Sequence, residues 1–175
     1  EFGKGVPQDA KAAARWYGEA ALQRDPRAEC CLAICYTNGT GVAADPARAV
    51  QLYTLSAQAG FVPAMRNLAQ MYHLGRGTAK NENAALAWYQ KAAAQDDARA
   101  LFMCGQFYEK GLGVAPDAAL AADFYHRAAL LNYAPAQACY AICLETGRGV
   151  AQNQPEAVQW YTRAARQGDV QAQFA

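Results

Sequence analysis

The chain has 175 residues, 53% of them hydrophobic and 18% charged, a balance that suits a packed domain and excludes an intrinsically disordered one. A formal net charge of +1 sets up no global field for nucleic acid, acidic substrates or anionic lipid. No apolar run approaches the roughly 18 residues that a membrane helix needs, and the first residues show neither the basic segment nor the apolar stretch of a signal peptide.

Read in chain order, one pattern returns every 36 residues. The chain opens in a turn at Gly3-x-Gly5, followed by Val6-Pro7-Gln8-Asp9. Asp9 is placed to accept a free amide of a first helical turn, so a helix is predicted to start after it and to run to about Arg24. A helix carrying Ala28, Leu32, Cys35 and Tyr36 follows and stops at Gly39-x-Gly41, whose glycines permit the positive φ of a tight turn. The sequence then repeats itself. Asp45 opens a helix ending near Gly60, and Ala64, Leu68, Met71 and Tyr72 lead to Gly75-x-Gly77. Asn81 opens the next helix, with Ala85, Trp88, Tyr89, Ala92 and Ala93 on one face at i, i+3, i+4, i+7 and i+8, ending near Asp96. The turn Gly111-x-Gly113 and the cap Asp117 lead to a helix ending near Asn132, and Gly147-x-Gly149 and Asn153 to one ending near Gly168. The residues at these second-helix ends tolerate left-handed geometry, Arg24 excepted.

Alanines recur at 28, 64, 100, 136 and 172 and tyrosines at 17, 53, 89, 125 and 161, the latter preceded by Trp16, Leu52, Trp88, Phe124 and Trp160. Small residues allow close helix approach, and the aromatic pairs are expected to fill the gaps between layers. One hairpin cannot bury such a face alone, so neighbouring copies must stack. The predicted fold is all-α, a superhelix (solenoid) of 36-residue helix-turn-helix repeats without a central core. The expected units are 1–25 (partial), 26–61, 62–97, 98–133, 134–169 and 170–175 (partial), a single segment of a longer array. Its termini lie inside a turn, at Glu1-Phe2-Gly3, and inside a new helix, at Gln171–Ala175.

These columns resemble the Sel1-like repeat family, relatives of the tetratricopeptide repeats. The matching residues read Ala64-x3-Leu68-x3-Tyr72-x2-Gly75-x-Gly77, then Asn81 and Ala85-x2-Trp88-Tyr89-x2-Ala92-Ala93, over essentially the whole chain. The resemblance implies a right-handed α-solenoid acting as an adaptor in signalling, assembly or host interaction. Some cysteine-rich members staple each hairpin with one cysteine per helix. Here the helices ending at Arg24, Gly60 and their equivalents contain none, so no pairing is carried over.

All six cysteines lie on the helices that precede a Gly-x-Gly: Cys30, Cys31, Cys35, Cys104, Cys139 and Cys143. Cys31-Cys35 and Cys139-Cys143 occupy the same columns three repeats apart. At about 10 Å per helix layer they lie far beyond the roughly 7 Å Cα limit of a disulfide. No histidine or carboxylate completes a metal set, so buried small hydrophobes are the expectation. Cys30 is the exception, because its column is expected to face outwards as a surface or reactive thiol. Free thiols mildly favour a reducing, cytoplasmic compartment, and export stays open because the family includes exported bacterial proteins.

No catalytic group, metal site or cofactor is predicted. The one serine, Ser56, lies in Ser56-Ala57-Gln58-Ala59 and lacks the Ser-x-x-Lys spacing of the β-lactamase-like hydrolases to which some relatives are linked, a remote alternative. His73 and His126 sit in different columns with no triad-like neighbours, and the Gly-x-Gly turns lack the third glycine and preceding strand of a dinucleotide site.

The expected activity is protein binding. Tetratricopeptide-like stacks present the first helix of each hairpin, the one preceding Gly-x-Gly, on a concave surface. The resemblance therefore puts Arg66, Gln70, His73 and Leu74, with Arg99, Phe102, Gln106, Glu109 and Lys110, in a groove that takes a partner's peptide or helix. Ile34 and Thr37, and Ile142 and Glu145, flank them. The alternative is a structural spacer that associates with itself through its exposed ends. The mixture of Arg66 and Arg99 with Glu109 and Glu145 lacks the basic stripe that nucleic acid requires.

Overall fold

The computed structural model describes residues 9–168, so the opening turn, Ala172 and the helix start at Gln171–Ala175 lie outside the described residues. Among the described residues there are nine helices and no strand: α1 Ala10–Leu22, α2 Pro26–Asn38, α3 Pro46–Gln58, α4 Val62–Leu74, α5 Glu82–Ala93, α6 Ala98–Lys110, α7 Ala118–Leu130, α8 Ala134–Thr146 and α9 Gln154–Arg166. None is long and apolar enough to cross a membrane. Even-numbered helices are the first helices of the hairpins and odd-numbered ones the second.

The capping column works as its chemistry requires. The side chains of Asp9, Asp45, Asn81, Asp117 and Asn153 accept the amides of Ala12, Arg48, Ala84, Leu120 and Glu156 at 2.9–3.2 Å. The cap residue also closes the turn before it: the amides of Asp45, Asn81, Asp117 and Asn153 donate to the carbonyls of Tyr36, Tyr72, Tyr108 and Leu144 at 2.8–3.0 Å. At the other end of the second helices, Gly60 and Gly168 take positive φ, and so do Arg24, Asp96 and Asn132 at 59°, 54° and 61°. Arg24 thus adopts the geometry its side chain disfavours, because the short connection to α2 demands it.

At Gly41, Gly77 and Gly149 the second glycine of the turn serves packing between repeats as well as backbone geometry. A Cβ on Gly77 would lie 2.2 Å from the carbonyl oxygen of Pro46, at the start of α3, and Gly41 and Gly149 approach Ala10 and Ala118 in the same way. Only a residue without a side chain lets the turn rest on that helix end.

Two compact units divide the chain, residues 1–88 and 89–175, and α5 contains the division. In the first, α1 to α4 pack successively, with Ala49, Tyr53, Ala57, Ala64, Leu68 and Ala69 buried between them. In the second, α6 to α9 do the same around Ala100, Cys104, Phe107, Tyr125, Ala136 and Trp160. Burial in the aromatic pairs varies from repeat to repeat. Tyr53, Tyr89 and Tyr125 are buried, whereas Trp16, expected to pack, is exposed with the Arg15 guanidinium 5.3 Å over its ring.

Candidate partner-binding site

In the first unit the first helices α2 and α4 expose Ile34, Gln70 and Leu74 along one groove of about 370 Å³. Tyr53, Asn67 and Met71 line it, with Thr37 and Arg76 at one end. These walls are held by specific bonds. The Thr37 hydroxyl donates to the carbonyl of Ala33 at 2.8 Å and lies 3.4 Å from the Tyr53 hydroxyl, while the Arg76 guanidinium donates to the Thr37 carbonyl. The groove therefore combines two exposed aliphatic side chains with the amides of Gln70 and Asn67.

Arg66 and His73 do not line this groove. His73 Nδ1 lies 2.6 Å from Glu82 Oε2, and Lys80 Nζ lies 2.8 Å from Glu82 Oε1. Burial works against the charge on Glu82, but the hydrogen bonds from Lys80 and His73 outweigh it and hold the carboxyl below its ordinary range. This pair fastens the end of α4 to the start of α5.

In the second unit α6 and α8 expose Arg99, Lys110 and Ile142, with Gln106 half-buried. Phe102 packs against Tyr125 and Tyr133, with centroids 5.7 and 5.5 Å away. Glu109 accepts the Tyr125 hydroxyl at 2.7 Å and pairs with Arg148 at 3.0 Å. Phe102 and Glu109 thus both contact Tyr125. Glu145 accepts the Tyr161 hydroxyl at 2.8 Å. The recurrent partners of the tyrosine column are Thr37, Glu109 and Glu145, each 16 residues before its tyrosine. That fixed spacing was present in the sequence as a signal, and it assigns Glu109 a structural bond.

The column two residues before Leu68 is a packing position, contrary to expectation. Cys30 is 2% exposed and Ala138 is buried. Asn67 Nδ2 of α4 lies 4.0 Å from Cys30 Sγ, so the next first helix covers it. Desolvation, with the neighbouring Cys31, pushes the Cys30 thiol up to about 11 against smaller opposing effects of Arg66 and Asn67. All six cysteines are free thiols, and among the described residues no group of three or more His, Cys, Asp or Glu side chains is arranged to hold a metal.

The groups considered for catalysis have structural partners. Ser56 is fully buried and its hydroxyl donates to the Pro26 carbonyl at 2.5 Å, tying α3 to the start of α2. His126 stacks on Tyr140 at 4.5 Å.

The Sel1 repeat model matches residues 1–25, 26–61, 62–97, 98–133 and 134–169. The chain is 33% identical to a protective antigen present in uropathogenic Escherichia coli strains that displays a Sel1-like repeat fold, with a TM-score of 0.95 over 98% of this chain and 37% of that one. It thus spans little more than a third of the antigen's length. A Sel1 repeat protein from Oxalobacter formigenes is 33% identical, with a TM-score of 0.88 over 96% of this chain and 67% of that one. Cysteine-rich protein B of Helicobacter pylori is 25% identical, with a TM-score of 0.57 over 72% of this chain and 93% of that one. No curated protein sequence matches the chain. Five repeat matches spanning nearly every residue, on helices capped and turned by the same columns each time, show that the chain belongs to the Sel1 repeat family.

Proposed function

We propose that this chain is a non-enzymatic adaptor that binds a peptide or helix of a partner protein along the exposed faces of its first helices. Proteins of the Sel1 repeat family are generally interaction scaffolds. The observation that carries the reading for this chain is the groove between α2 and α4, where Ile34, Leu74 and Gln70 line the same open space. Exposed aliphatic side chains beside amides suit a partner segment that buries an apolar residue while its backbone meets polar groups. Gln106 and Ile142 repeat the Gln70 and Ile34 columns in the second unit, and Arg99 is exposed near the start of α6. In this reading Arg66 and His73 stand outside the groove, and Phe102 and Glu109 support the first-helix face of the second unit through Tyr125.

The test is affinity capture with the native chain beside an Ile34→Asp, Ile142→Asp double variant. Both side chains are exposed, so helicity and Tm are expected to match the native values. A partner held by the native chain and lost by the variant supports the reading. Equal capture by both overturns the assignment to the first-helix faces.

A further inference from the structure

Helices α1–α3 occupy the same repeat positions as α7–α9, three periods later. Packing between the second helices differs sharply between the two sets. In α7–α9 three rings fill the space: His126 stacks on Tyr140, and Trp160 meets them edge-on with centroids 6.0 and 5.7 Å away. The Trp160 indole donates to Glu156 at 3.2 Å, and the Arg163 guanidinium lies 4.5 Å over its ring. The corresponding residues of α1–α3 are Gly18, Leu32 and Leu52, and there the space is an open hollow of about 570 Å³. A Cβ on Gly18 would meet no atom within 4 Å. Leu22, on the lip, is 81% exposed.

Two polar features show what the hollow accepts. Glu29 lines it, and its carboxylate opens to solvent there rather than being held by a hydrogen bond among the described residues; its charged neighbours are Arg24 and Asp25. Its counterpart in α8, Gln137, bonds to the Ala129 carbonyl, Asn132 and Gln167. The rim carries Lys11, Arg15 and Arg48 where α7 and α9 have Ala119, Asp123 and Glu156; Glu19 is its one acidic side chain. An apolar hollow with a carboxylate acceptor in its wall and a cationic rim complements an aromatic ring that bears a donor and is flanked by carboxylates.

We propose that the hollow between α1, α2 and α3 is a docking site for a tryptophan of an acidic partner peptide. The indole packs on Leu32 and Leu52, its N–H donates to Glu29, and the flanking carboxylates meet Arg15 and Arg48. The site shares no lining residue with the Ile34–Gln70 groove and stands independently of it.

Calorimetric titration of the whole chain with a blocked peptide, one tryptophan between two pairs of aspartates, tests the site. Binding is expected, and replacing the tryptophan by alanine is expected to weaken it by about tenfold or more. A Gly18→His, Leu52→Trp variant installs two of the three rings of the second unit, and the loss should be about as large. Arg15→Asp with Arg48→Glu alters only exposed side chains and keeps the test valid if the filled variant folds poorly; it too should weaken binding. Ile34→Asp should bind the peptide like the native chain. Absence of binding at millimolar peptide, or undiminished affinity in a well-folded filled variant or in the charge-reversed variant, overturns the proposal.

Discussion

A thiol in this chain is governed first by what covers it. Burial pushes Cys30 and Cys143 up to about 11 and Cys104 up to about 12; Glu109 adds to the rise at Cys143, while Arg148 and Arg127 oppose it at Cys143 and Cys104 respectively. A raised thiol pKa means less thiolate at any lower pH, so at pH 8 Cys30 and Cys143 are expected to react roughly a hundredfold, and Cys104 roughly a thousandfold, more slowly than an ordinary thiol. Cys31 and Cys139, half-buried, are expected to be alkylated first, with Cys30 accelerating about tenfold per pH unit as pH climbs towards its pKa. Peptide mapping after brief alkylation reads this directly, and Cys30 labelled as fast as Cys31 would contradict it. The sequence placed Cys30 on the surface because the column two residues before Leu68 was expected to face the concave side. Position along one helix was a poor guide there, since the next first helix covers Cys30 through Asn67. The small side chains of Cys30 and Ala138 were the better indicator.

At the scale of elements, most of the fold was legible, because capping and turn formation are local chemistry repeated in register. Asp9, Asp45, Asn81, Asp117 and Asn153 each cap the helix they announce. What could not be read locally was the contact each turn makes with another helix. Gly77 looked like a residue chosen for its positive φ, but its distance from Pro46 shows a second requirement. Gly77→Ala is therefore expected to cost about 2–4 kcal/mol, combining left-handed strain with overpacking against a carbonyl that belongs to a helix end. Arg24→Gly should act in the opposite direction by up to about 1 kcal/mol, because it relieves the same backbone strain where no contact is at stake. Urea unfolding of both variants separates the two ideas. If both changed stability only slightly, neither the contact nor the strain would carry the weight assigned here. The candidate groove was legible in part: Ile34 and Gln70 were found by column, whereas Tyr53, Asn67 and Arg76 come from neighbouring elements that only the folded chain assembles.

On the scale of the whole molecule, a repeat array derives its stability from each repeat and from its contacts with immediate neighbours, so unequal packing makes unequal local stability. The helices α2 and α8 occupy equivalent places and have the same length. Around α8 the rings of His126, Tyr140 and Trp160 pack together, and Gln137 is fully engaged. Around α2 the same volume is open, and no hydrogen bond among the described residues ties the Glu29 carboxylate to a neighbouring element. Aromatic pairs add about 0.5–1.5 kcal/mol each beyond their area, so native-state amide exchange should be at least about tenfold slower in α8 than in α2. Replacing the three rings by the residues of the first unit, His126→Gly, Tyr140→Leu and Trp160→Leu, should remove most of that difference without altering α2. If α2 and α8 exchanged equally in the native chain, the open hollow would have no energetic consequence. If they differ as expected, the first unit keeps an open apolar cleft that the second closes with its own side chains, at a cost in local stability that a bound partner ring could recover.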